Sequence, residues 1–249
     1  MMRPFALATL MISSSFSLGL AQYKTDGVGL FQTFFEDAPI VNSPNVEGFF
    51  FYGDADNRSA INLMAQAAFP VAPKIQVGGA LGFTSLSFDG GGDESGLTDL
   101  AVSGRLNVMP GPTAISVGSS ITLPIGSEDI EEGHFNFSLF GSLRHNLPTG
   151  MALTGTAGLE FIEVGGARGT KSQRESGLLL AGGVIYPMPS GLSLVGELNI
   201  HTEGDKALLT GAVDYALQGA GRIRGGIGIG LDDNSPDIAL RVGYFATLP

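Results

Sequence analysis

The chain reads as an all-β fold: a closed antiparallel transmembrane β-barrel of about twelve strands, with short periplasmic turns and longer external loops. Three observations predict it. The first residues have the pattern of an export leader. Runs of about ten residues then alternate apolar with small or polar side chains. The connections between those runs are alternately tight and long.

The leader covers residues 1–21. Arg3 supplies a cationic start, and Phe5 to Leu20 is apolar apart from small hydroxyl residues. Gly19-Leu20-Ala21 places small residues at the −3 and −1 positions, which predicts cleavage before Gln22. Ser13, Ser14, Ser15 and Ser17 interrupt the run too often for a membrane anchor, which needs about twenty strongly apolar residues. Residues 22–44 have no sustained period and contain Asp26, Glu36, Asp37, Pro39 and Pro44. They form a periplasmic lead-in or partial plug, and the barrel occupies 45–249.

Mean hydropathy is positive although no later segment is continuously apolar over a helical span. Alternation hides a membrane surface in this way. The expected strands begin near 46–53, 60–70, 74–86, 97–108, 113–123 and 135–147. They continue near 151–163, 176–187, 192–202, 207–217, 222–231 and 237–246. Each is long enough to cross a bilayer when tilted, and an even number lets an antiparallel sheet close without an edge. Val71-Ala72-Pro73, Pro110-Gly111-Pro112, Pro148-Thr149-Gly150, Met188-Pro189-Ser190-Gly191 and Gln218-Gly219-Ala220-Gly221 are tight turns. Between them lie 87–96, 124–134, 164–175 and 232–236, with 54–59 and 203–206 shorter.

Parity assigns the two faces. Leu192, Leu194, Leu198 and Ile200 oppose Ser193, Glu197, Asn199 and His201, and Ile238, Leu240, Val242 and Tyr244 oppose Asp237, Ala239 and Arg241. In a soluble sandwich the apolar row would face a core; in a membrane barrel it faces lipid. The small residues Gly78, Ala80, Gly82, Gly118, Ser120, Gly226 and Gly228 fall on the polar row. Glycine weakens a water-facing strand, whereas a narrow lumen packed with long side chains needs small neighbours. Phe69, Phe135, Tyr186, Tyr215 and Tyr244 stand near strand ends as interfacial aromatics, in a chain without Trp.

On this parity Asp99, Glu160, Glu197, Asp214 and Asp237 enter the lumen with Lys74, Arg105, Arg144, Arg222, Arg224 and Arg241. Asp99, Arg105, Arg144, Glu160, Glu197, Arg222, Arg224 and Arg241 are the candidate constriction, since lumen charges set selectivity in a pore. A mutually neutralising network that fills the barrel is the competing reading, because paired charge satisfies burial whether or not anything passes.

Other chemistries find little support. The formal charge of −11 disfavours nucleic acid. Without cysteine there is no disulfide framework, and three separated histidines offer no transition-metal set, no cofactor site and no nucleophile–base pair. No enzyme is expected. Asp232-Asp233-Asn234-Ser235-Pro236-Asp237 could ligate calcium but suits a solvated turn better. The acidic loop with Glu128, Asp129, Glu131 and Glu132 reads as a solvated rim that could attract cations.

Four segments together resemble the outer-membrane transporter family associated with the meta-cleavage pathway of phenol degradation. They are Glu36-Asp37-Ala38-Pro39-Ile40-Val41, Gly96-Leu97-Thr98-Asp99-Leu100, Leu123-Pro124-Ile125-Gly126 and Asp232-Asp233-Asn234-Ser235-Pro236-Asp237. The resemblance implies a barrel that helps small, often aromatic or apolar, compounds cross the bacterial outer membrane. It carries over no individual substrate. One departure is the end of the chain, Tyr244-Phe245-Ala246-Thr247-Leu248-Pro249, where such barrels usually finish on a terminal aromatic. Either the signal read by the insertion machinery is altered or Phe245 serves in its place. The expected partners are outer-membrane lipid, a small-molecule solute and the barrel-insertion machinery. The alternatives are a structural or adhesive barrel with a closed lumen that works through 164–175, a soluble exported β-protein, and an outer-membrane lipase.

Overall fold

Period-two alternation leaves each strand with one apolar and one polar row, and the sheet must bend until the two rows face different surroundings. The computed structural model describes residues 28–127, 130, 135–164, 173–203, 205–217 and 221–248. The expected leader, residues 22–27, Glu128, Asp129, Glu131, Glu132 and His134 lie outside the described residues, as does most of the 164–175 connection.

The strands are β1 (Asn45–Ala55), β2 (Arg58–Ala72), β3 (Ile75–Phe88), β4 (Asp93–Leu97), β5 (Leu100–Met109), β6 (Thr113–Leu123) and β7 (Asn136–Asn146). They continue with β8 (Ala152–Val164), β9 (Gln173–Pro187), β10 (Leu192–His201), β11 (Lys206–Leu217), β12 (Gly221–Gly230) and β13 (Ile238–Thr247). Every pairing is antiparallel and follows chain order. The sheet closes where β1 meets β13, in register from Asn45↔Thr247 to Asp54↔Ile238. β4 and β5 both pair with β3 and are two halves of one stave, so the closed barrel has twelve.

The interruption sits at Thr98-Asp99. Gly82 N–H donates to Thr98 Oγ1 at 2.9 Å, and Asp99 Oδ1 accepts from Gly126 N–H at 2.7 Å. The start of the following connection folds onto the break, with Leu97 N–H donating to Ser127 Oγ at 2.9 Å. Residues 87–96 were expected to be a long loop. Instead β3 runs to Phe88 and β4 returns from Asp93. Gly91 (φ 87°) and Gly92 (φ 108°) make the turn, and Ser87 Oγ donates to Asp93 Oδ1 at 2.7 Å. The run Asp89-Gly90-Gly91-Gly92 has no apolar period to show that the ladder continues past it.

The apolar row faces outward all the way round. Leu63, Val242 and Ile227 are 64%, 59% and 57% exposed, while Arg224 and Glu47 on the inner row are 1% exposed. A soluble protein does not surround itself with a contiguous apolar band, so the soluble reading falls away. Tyr186, Tyr215 and Tyr244 face outward at the end carrying the tight turns, where Leu192 pairs with Tyr215 and Ile223 with both Tyr215 and Tyr244. Phe69 joins them near the β2–β3 turn, and Phe135 stands at the opposite rim.

Two expected lumen charges are not in the lumen. Lys74 lies in the turn between β2 and β3 and is exposed. Asp237 precedes β13 and is also exposed. Parity had been extended across residues where the strand has already given way to a turn. Phe245 faces inward, buried against Phe34 and Ala68, which leaves Tyr244 as the outward aromatic of the last strand.

Candidate functional site: the lumen and the segment inside it

Residues 28–44 run through the lumen before entering β1. They climb from Val28 to a bend, where Glu36 N–H donates to Thr33 O at 3.3 Å, and descend to Pro44, whose carbonyl accepts from Leu248 N–H at 2.7 Å. Val28, Leu30 and Phe31 pack on Ala152, Ile185, Val195 and Ala212 of the inner wall. Phe34, with Phe35 and Val41 beside it, packs on Ala68 and Phe245. Gly78 makes room for this: a Cβ there would come within 2.6 Å of the Phe35 ring.

The inner wall holds this segment mainly by its backbone. Arg105 donates to the carbonyls of Phe35 (3.1 Å), Asp37 and Pro39 (2.9 Å). Arg144 donates to Val28 O at 3.1 Å and pairs with the Asp37 carboxylate. Arg224 donates to Gly29 O (2.6 Å) and Leu30 O (3.0 Å), and Arg241 donates to Phe31 O. Glu197 takes the opposite role and accepts from the N–H groups of Phe31 and Gln32, the latter at 2.9 Å. Asn107 Nδ2 reaches Ala38 O at 3.1 Å, Thr156 Oγ1 reaches Glu36 O at 3.2 Å, and Val41 N–H donates to Gln76 Oε1 at 2.9 Å. An irregular backbone inside a barrel needs such partners, since an unmet N–H or C=O away from water is costly.

Beneath these contacts lies a buried ion network. Glu47 pairs with Arg224 at 2.7 Å and Arg241 at 3.1 Å, and accepts from Gln66 Nε2 at 2.6 Å. Asp214 pairs with Arg224 at 3.1 Å and also with Arg222. The Phe31 ring lies against both central arginines, 4.1 Å from Arg224 and 5.6 Å from Arg241, and Phe49 covers Arg241 at 3.6 Å. Guanidinium groups over aromatic faces gain further stabilisation when water is excluded.

Five of the eight expected constriction residues, Arg105, Arg144, Glu197, Arg224 and Arg241, contact the segment, and Arg222 joins Arg224 through Asp214. The structure does not bring the other two to them. Asp99 holds Gly126 at the stave interruption. Glu160 pairs with His201 Nδ1 at 2.9 Å, in a chamber on the loop side of the segment.

Sequence reasoning missed Glu47, Glu36 and Asp37 as parts of the site. Glu47 was obscured because Phe49-Phe50-Phe51 puts apolar residues on both rows of β1. Glu36 and Asp37 lie in a stretch without a period, where parity says nothing. Burial pushes the Glu36 carboxyl up to about 7 and Glu160 adds to the rise, while its backbone hydrogen bond, Arg105 and His201 pull it down.

The segment occupies the waist and separates two cavities. The one on the turn side is about 480 Å³ and is lined by Arg105, Arg144 and Asn107 together with residues of the segment's descending arm. The one on the loop side is about 250 Å³. A solute moving along the lumen axis meets the segment between them.

A family profile described as "Putative MetA-pathway of phenol degradation" matches residues 62–248. Comparison with curated proteins finds no match. Among solved structures, the fold resembles an outer membrane channel from Pseudomonas putida F1, with a TM-score of 0.70 at 13% identity over 88% of this chain and 100% of that one. The KdgM porin, whose complex with disordered oligogalacturonate has been solved, gives 0.55 at 12% identity over 82% of this chain and 99% of the porin. The translocator domain of the autotransporter NalP from Neisseria meningitidis gives 0.55 at 12% identity, over 83% of this chain and 89% of that one. At these identities the likeness is one of fold, an outer-membrane type of barrel.

Proposed function

The chain belongs to the family described as "Putative MetA-pathway of phenol degradation", and on that premise we propose that it is a passive channel for small solutes in the bacterial outer membrane, gated by residues 28–44. The observation that carries this reading is how the segment is held. Arg105, Arg144, Arg224, Arg241 and Glu197 bind its main chain without a covalent link, so the segment can leave its seat while the wall stays closed. The charged wall left behind is a polar route whose side chains would select among solutes. The solute is small and drawn from the aromatic or apolar compounds that the family description suggests.

Conductance in planar bilayers tests the proposal. Full-length protein should show rare or brief openings, and a variant lacking 22–44 should show discrete, sustained steps. In that variant Arg105→Ala with Glu197→Gln should change both ion selectivity and the flux of small solutes into liposomes. A correctly folded deletion variant that never conducts would sink the channel. That result would favour the second reading, a structural or adhesive barrel, for which the internally paired Glu47–Arg224–Asp214 network speaks because it needs no permeant.

A further inference from the structure

The chamber on the loop side is built more fully than a vestibule requires. Its floor is the bend of the segment, with Thr33 and Glu36, and its wall comes from β6 to β11. Its roof is Ser235-Pro236, from the connection between β12 and β13. Ser235 is buried, and its Oγ accepts from Ala207 N–H at 2.8 Å, so the roof is tied to the wall. At about 250 Å³ the chamber has the volume of roughly eight waters or one small organic molecule.

Asn199 projects from β10 into this chamber and is 5% exposed. Neither its Oδ1 nor its Nδ2 has a hydrogen-bond partner among the described residues. A buried amide with both ends unmet is uncommon in a folded protein and leaves a donor and an acceptor for a molecule in the chamber. Near it the wall has two characters. Leu179 and Leu208 offer hydrocarbon, while Glu160, paired with His201, and Glu36 offer polar atoms. Two carboxyl groups face the space against one imidazole, and Lys206 stands exposed at the margin. Such a lining disfavours an anion.

We infer that this chamber is a binding site for a small uncharged molecule with a hydroxyl or carbonyl group on a compact hydrocarbon frame. Asn199 meets the polar group, and Leu179 and Leu208 carry the frame. The inference rests on the reading of the barrel as a solute channel, in which this site is the last stop before the segment. Among the described residues no Phe, Tyr or Trp lines the chamber, so a saturated ring should bind about as well as an aromatic one.

Isothermal titration of the full-length, detergent-folded protein, referenced to empty micelles, tests it with phenol, cyclohexanol and benzoate as probes. Phenol and cyclohexanol should bind saturably and one to one, with benzoate at least tenfold weaker. Asn199→Leu should weaken phenol binding about tenfold. Leu208→Phe, which fills the space and leaves the amide in place, should do the same and carries the test if Asn199→Leu does not fold. Absence of saturable binding, or binding that the folded variants leave unchanged, would overturn the site. Phenol entry into liposomes, measured on the same preparations, separates the two ideas. Flux without chamber binding removes the site and leaves the channel, whereas binding without flux removes the channel and leaves the site.

Discussion

Glu47 has the highest stakes among the side chains of the lumen. It is the carboxylate shared by Arg224 and Arg241, and all three are buried. Removing one member of such a group leaves uncompensated charge away from water, at about 3–5 kcal/mol. Glu47→Gln should therefore lower the urea midpoint of the detergent-folded barrel well below that of Phe50→Ala, a change on the outer face of the same strand. Glu36 supplies a pH dependence. Its carboxyl titrates near 7 when docked, against 4.5 when free. Docking is thus favoured below the free value and loses that contribution as pH rises through about 7. Single-channel recording should show fewer openings at pH 5 than at pH 8, and Glu36→Gln should flatten the difference. Legibility at this scale follows the regularity of the strand. Glu197 and Arg241 stand in clean alternations, so their inward direction was readable. Glu47 neighbours three consecutive phenylalanines, and only the register with Gln66 and Phe245 settles its side.

Among the elements, the segment 28–44 is the one the sequence left open between a periplasmic lead-in and a partial plug. It has neither period, because it is neither helix nor strand, and its position is set by groups far away in the chain. Its polar contacts with the wall are made mostly by main chain, which every residue has, so no pattern of polar side chains announces it. Substitutions of its polar side chains should consequently be tolerated better than those of its receptors. Gln32→Ala, which removes a contact with Thr210 at 3.4 Å, should leave conductance close to that of the parent. Arg105→Ala with Arg144→Ala removes the donors to Val28, Phe35, Asp37 and Pro39, and should raise open probability severalfold in the same recordings. Equal behaviour of the two variants would argue against a seat made of backbone contacts. The β4–β5 interruption was hidden for a related reason: Thr98 and Asp99 are ordinary strand-edge residues until Gly82 and Gly126 are brought beside them.

For the whole molecule, strand number and facing were the most legible features, because a lipid surround imposes period two on every stave at once. The contents of the lumen were the least legible, because nothing outside it constrains them. The outward band can be tested directly. Val242→Arg, near the middle of β13, should destabilise the folded barrel by about 2–4 kcal/mol in lipid vesicles. An effect near zero would deny that this row meets hydrocarbon. The seam between β1 and β13 has a further consequence, for assembly. Glu47 is on β1, and its two arginines are on β12 and β13, the far end of the sheet. Zipping the seam and bringing Glu47 to those arginines are thus one event. A nascent sheet with an open seam would leave Arg241 without its carboxylate on the last strand, while Arg224 already has Asp214 on β11. The first strand thus completes the charge balance of the last, so the ion network works as a checkpoint on closure of the seam itself.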